Sequence, residues 1–222
     1  MQAPFSCTPA VLNEIETALS AARLRRYLNA AGGDKHLALR LYVWNVRLCE
    51  ELYLPLQTAE ICVRNVVQQT LIRKYDAGWY SNHKFIDILP DRYKREVTGT
   101  VREEQNSRAA AFTGDHVVAA LRFGFWVHLL TKNFQHLLWQ QGMQRSFPNI
   151  PVGVDREQLY RKVDRLRAFR NKVMHHYAIF DQHVLDEHQN AMDIILWTSE
   201  GLHWFARQLV NPQAAMAARP RF

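Results

Sequence analysis

Cysteine is scarce in this chain. Cys7, Cys49 and Cys62 are odd in number and share no metal-ligand spacing, which excludes a disulfide framework and a zinc site as organising features. Reduced thiols in a cytoplasmic protein are the expectation. No apolar run approaches the roughly 20 residues that cross a bilayer, and Met1–Ser6 has neither the basic nor the apolar section of a signal peptide. A P-loop, a dinucleotide fingerprint and an HExxH helix are all missing, so no cofactor and no metal are expected. Gly32-Gly33-Asp34-Lys35 reads as a turn followed by a helix cap rather than a phosphate cradle. Strands, internal repeats and low-complexity stretches do not stand out either.

The chain does have helical periodicity and positive charge. Lysine and arginine number 28 against 21 acidic residues, a net charge of +7, which favours an anionic partner. Thr8-Pro9 opens a helix running to about Asn29, and Asp34 caps a second through Tyr53. Pro55 starts or kinks a third, which continues to about Tyr75. A charged helix covers roughly 91–110, and Thr113 or Asp115 caps an apolar one to about Leu130. A shorter helix spans Phe134 to Trp139, and Phe147-Pro148-Asn149-Ile150-Pro151 forms a rigid connector. Asp155 opens a helix through about Ile179, and a last one covers Val184 to Val210. The expected architecture is a single all-α domain over residues 1–210, with 211–222 a disordered tail.

The segment from Arg170 through Asn171 to His175 and His176 holds the parts for breaking an RNA backbone without a metal. Arginine presents a charged fork suited to phosphate oxygens, and histidine can take a proton from a ribose hydroxyl near neutral pH. Spacing alone decides nothing, since Arg122 and His128 repeat it across the aromatic stretch 123–127, which reads as core. So does Trp139.

On an ideal helix Leu159, Val163, Leu166, Arg170, Val173, Tyr177 and Phe180 share one stripe. Arg170 is thus on the apolar side and must meet an anion, either a carboxylate or a phosphate in a cleft. His175 lies about 140° round the helix from Arg170 and roughly 7.5 Å along it, and His176 about 120° the other way. Arginine and histidine therefore do not share a face. Either the helix breaks near Met174 or a second chain completes the site. Glu60 and Arg64, four apart with Asn65 adjoining, form either a helix ion pair or a support for Arg170 and its cleft. His183 and His188 read as solvated positions of the last helix.

Six ordered stretches carry a resemblance: Ser20–Leu28, Ala38–Asn45, Pro55–Asn65, Leu121–Trp126, Phe147–Asn149 and Leu166–His176. Together with their order over about residues 20 to 200, they make the chain similar to the Abi-like proteins. These are bacterial abortive-infection relatives within the HEPN superfamily, the AbiF branch included. The resemblance implies a HEPN-like helical bundle with additional helices, which dimerises through the helices bearing the Arg-to-His motif. It also implies metal-independent endoribonuclease activity and a relationship to the nuclease domains of type VI CRISPR effectors. Carried onto this chain, Arg170 and His175 are the catalytic pair, Asn171 the polar position and His176 the second histidine. Glu60, Arg64 and Asn65 match the acidic helix motif. Tyr177 stands where an acidic residue is expected, and Arg170, His175 and Tyr177 resemble the Arg-x4-His-x-Tyr motif of HEPN toxins, whose tyrosine a partner nucleotidyltransferase modifies. The residues themselves read Tyr177 as a core tyrosine on the stripe.

The implied function is a growth-arresting RNase in phage defence, restrained by a protein or structured-RNA antitoxin, with RNA and a second copy of the chain as partners and no membrane. A non-catalytic RNA-binding module would use the same basic cleft. Helix-turn-helix DNA binding has less support, because no short helix pair shows an exposed basic recognition face.

Overall fold

Thr8 caps the first helix, α1 (Pro9–Leu19), its side chain accepting from Val11 N with Pro9 in the first turn. The helix does not continue to Asn29. Ser20 adopts a positive φ of 69° and caps a separate α2 (Ala21–Ala30) through its side chain. Asp34 then accepts from Leu37 N at 2.9 Å and starts α3 (Lys35–Tyr75), 41 residues long. Pro55 starts no helix, because it lies inside α3, which continues on both sides of it. A mid-helix proline removes one hydrogen bond and costs ~3 kcal/mol. The stripe Leu48, Leu52, Leu56, Ala59, Val63 and Val67, wholly shielded from solvent, offsets that cost.

After Trp79–Ser81 come α4 (His83–Ile86), α5 (Asp91–Arg108), α6 (Gly114–Ala120) and α7 (Phe123–His128). A single turn of π-helix spans Gln135–Trp139. The last four helices are α8 (Arg156–Met174), α9 (Val184–Thr198), α10 (Glu200–Leu209) and α11 (Pro212–Ala217). Ser199, with extended backbone, splits the expected last helix into α9 and α10 and caps the second half. The structure, a computed structural model, describes residues 7–221. Met1–Ser6, where no signal peptide is expected, and Phe222, the end of the expected tail, lie outside the described residues. Among the described residues the chain is all-α, 77% helical with no strand. No helix among the described residues is long and apolar enough to cross a membrane.

α3 is the spine, with α2, α8, α9 and α11 packed along it. The same core turns aromatic under α7, where Trp79 stacks on Phe125 at 6.2 Å and meets Trp126 edge-on at 5.8 Å. The stretch between Arg122 and His128 is therefore core, and His128 stacks on Tyr93 at 4.4 Å.

The expected disordered tail is folded over 212–217. Asn211 caps α11 by accepting from Ala214 N, and its own N–H donates to Glu51 at 2.7 Å. The buried indole of Trp44, which needs an acceptor, donates to Ala215 O at 2.7 Å. A polar, alanine-rich composition concealed these three anchors.

Candidate active site

α8 begins with a capping box in which Asp155 accepts from Gln158 N at 2.7 Å and Gln158 accepts from Asp155 N at 2.9 Å. Its buried stripe of Leu159, Val163 and Leu166 leads directly to Arg170. There the charge meets a carboxylate, Glu60 of α3, with Nε 2.9 Å from Oε2. Glu60 is 7% exposed in its side chain and Arg170 31%. The Arg170 N–H is not aimed at Oε2, which receives no directed hydrogen bond. Arg170 is thus held by charge, with part of its guanidinium open to solvent. Its Nη1 also reaches Asn171 Oδ1 at 3.4 Å.

The other oxygen of Glu60 accepts from Arg64 Nε at 3.0 Å. Arg64 in turn donates Nη1 to Val118 O at 2.8 Å and Leu121 O at 2.6 Å, capping the end of α6. Of the trio expected on α3, Glu60 and Arg64 are joined and largely buried. Asn65 is exposed, about 100° further round the helix.

α8 ends at Met174, not near Ile179. His176 N donates to Val173 O and Tyr177 N to Lys172 O, both at 3.0 Å, the two bonds of a Schellman turn. The residue at its left-handed position is usually glycine, but here it is His176, with φ of +59°. A side-chain-bearing residue in that conformation costs roughly 1–2 kcal/mol, and such strain gathers at functional sites. His175 and His176 are both exposed. The reversal also ends the helical phase, so Tyr177 leaves the stripe. It is 59% exposed and not a core residue, whereas Phe180 returns to the core.

Residues from the other end of the chain pin the turn and the segment after it. Arg23 Nη1 donates to His176 O at 2.8 Å. Asn45, itself buried, donates to Tyr177 O at 3.3 Å and accepts from Ile179 N at 2.7 Å. Arg26 donates to Ala178 O at 3.2 Å and pairs with Asp181. Four successive backbone groups are thereby fixed by α2 and α3. None of Arg23, Arg26 or Asn45 was singled out from the sequence. The one available signal was Asn45, a polar residue beside the apolar stripe of α3.

Two open grooves flank this turn, sharing Arg26, His175, Tyr177 and Ala178. One adds Ser20, Arg23 and His176, the other Asn171, Lys172 and Gln182. Neither is lined by a carboxylate, and neither by Arg170. Burial, with Cys49 and Tyr42 beside it, pushes the phenol of Tyr27 below the first groove up to about 12. Burial acts to raise the Asp181 carboxyl, but hydrogen bonds from Arg26 and Gln182 outweigh it and hold the group below its ordinary value. His183 is exposed, as expected, but precedes α9 as its cap. His188 is instead half-buried, with Nε2 unpartnered.

The arrangement brings Glu60 to Arg170 and presents both histidines on a rigid turn, with Asn171 between the two sets. It does not aim Arg170 and His175 at one point. Among the described residues no three His, Cys, Asp or Glu side chains gather where they could hold a metal. No protein-family model, curated protein or solved structure matches the chain.

Proposed function

We propose that the chain is a HEPN-type, Abi-like endoribonuclease of phage defence whose cleft is completed by a second copy. The observation that carries this reading is the pairing of a buried carboxylate, Glu60, holding the half-exposed Arg170, with a strained turn that presents two histidines about a turn and a half later. Because Arg170 and His175 diverge by about 140° on α8, a two-fold axis beside α8 would bring the arginine of one protomer to the histidines of the other. The uncovered face of α3 supports such an axis. Val43, Val46, Tyr53 and Ile61 are exposed there within an arc of about 80°, and that arc borders Glu60.

In the proposed reaction His175 or His176 takes the proton of a ribose 2′-hydroxyl, and the 2′-oxygen attacks the adjacent phosphorus. The bond from phosphorus to the 5′-oxygen breaks, and the leaving oxygen takes a proton from the other imidazole. Arg170 stabilises the charge on the non-bridging oxygens. The products are a 2′,3′-cyclic phosphate and a 5′-hydroxyl, with no water or electrons consumed. The proposed setting is the cytoplasm, with an antitoxin of protein or structured RNA restraining the enzyme.

Pure protein incubated with mixed cellular RNA and a chelator is expected to yield those ends. His175→Ala is expected to lose ~10²–10⁴-fold in rate and Arg170→Ala ~10²–10³-fold. Cleavage that needs added divalent metal, or that survives both substitutions, would refute the mechanism. RNA binding without cleavage would favour a binding module.

A further inference from the structure

The two grooves beside the histidine turn differ in what their cations have left to give. Arg26 is largely engaged, with Nε and Nη2 on Asp181 and Nη1 on Ala178 O. Arg23, in the first groove, commits only one Nη1 bond, to His176 O, so most of its fork is free. Lys172, in the second groove, donates one hydrogen bond to Gln182 Oε1 at 2.8 Å and is otherwise exposed. The Asp181 carboxylate nearby is neutralised by Arg26. A free cation thus stands on each side of His175, with the exposed ring of Tyr177 common to both grooves. Because Asn45 fixes the backbone on either side of Ala178, the ring is offered from a rigid base.

We propose that these grooves form one track for the RNA strand, crossing the ridge made by His175 and Tyr177. Arg23 binds the phosphate on one side of the cleaved bond and Lys172 the phosphate on the other. Tyr177 stacks on the base between them. Asn45 is a positioning residue that touches no RNA, whereas Arg26 lines both grooves with most of its fork already committed to Asp181 and Ala178 O. The geometry also explains why a tyrosine at position 177 stays outside the core: the Schellman turn lifts it off the stripe and sets it beside the histidines. The proposal rests on the ribonuclease reading for its ligand.

The test measures anisotropy of a labelled 2′-O-methyl oligoribonucleotide, which the protein cannot cleave, over a series of salt concentrations. Arg23→Gln and Lys172→Gln are each expected to weaken binding severalfold and lower the salt slope by roughly 0.7. Arg23→Lys keeps the charge and is expected to restore the slope. Tyr177→Ala is expected to weaken binding about tenfold, whereas Tyr177→Phe, which keeps the ring, binds as wild type. On cleavable RNA, Arg23→Gln is expected to raise KM and lower kcat/KM, and Arg23→Lys to recover part of both. Wild-type affinity in Arg23→Gln and Tyr177→Ala, from a protein that binds and cleaves RNA, overturns the track and leaves the ribonuclease reading intact. Weakened binding with an unchanged slope also overturns it, since that would mark Arg23 as a clamp on the turn only. A wild-type protein that binds no RNA refutes both readings.

Discussion

His176→Gly is expected to make the protein more stable and less active. The left-handed backbone at this position, φ +59°, costs a side-chain-bearing residue roughly 1–2 kcal/mol. Glycine removes that penalty but brings extra chain entropy in the unfolded state, worth about 0.5–1 kcal/mol. The imidazole gives nothing back, since it is exposed and has no hydrogen-bond partner among the described residues. The balance is a gain of about 0.5–1 kcal/mol, or a few degrees in Tm for a chain of this size. His176→Ala is the control, because it deletes the same ring and keeps the strain. Urea unfolding of the three proteins in parallel measures the difference, and equal m-values would confirm that only stability has changed. If His176→Gly matches His176→Ala, or falls below wild type, the turn is not strained as described. RNA cleavage measured on the same preparations is expected to fall in both variants to a similar extent.

Glu60→Gln leaves Arg64 and Arg170 facing each other without their shared anion, at a cost of about 3 kcal/mol; Arg170→Gln in the same chain is expected to recover part of it in a double-mutant cycle. Asn45→Ala strands Ile179 N and Tyr177 O, costing about 1–3 kcal/mol, and hydrogen exchange at the Ile179 amide is expected to accelerate most. Burial and the nearby charge of Arg92 hold His128 below the ordinary histidine range, and burial does the same to His188 against the opposing pull of Glu51. Both titrate near ~6.5 when unfolded, so just below that pH the unfolded chain binds more protons than the folded one. Their contribution is complete above that value and is lost as the pH falls through it towards the lower folded values. Urea midpoints at neutral and mildly acid pH are expected to converge in a His128→Phe, His188→Phe variant, and an undiminished acid loss would contradict the assignment.

The apolar stripe of α8 made the anion opposite Arg170 legible in advance, because a charge at a core-facing position has few solutions. Periodicity also marked Glu60 and Arg64 as sharing a face. It did not show that Arg64 serves the end of α6, a contact with no local signature. The end of α8 was one of two open possibilities, since a Schellman turn without glycine leaves no compositional mark. Tyr177 was misplaced for the same reason, its stripe position holding only while the helix lasts. Pro55, read as starting or kinking a helix, starts none, because the buried residues before and after it hold α3 together. The clamps from Arg23, Arg26 and Asn45 join positions far apart in the chain, where no pattern in a single sequence reaches.

Those same clamps set the order in which the protein becomes complete. The bonds that fix residues 176–181 span 132 to 155 positions. Chains are made N-terminus first at about 5–20 residues per second. Arg23, Arg26 and Asn45 therefore leave the synthetic machinery roughly 7 to 30 seconds before the turn that they hold. Closing such long loops is slow compared with winding helices. A half-made chain has its grips but nothing to grip, and the histidine turn takes its final shape only when the two distant parts meet.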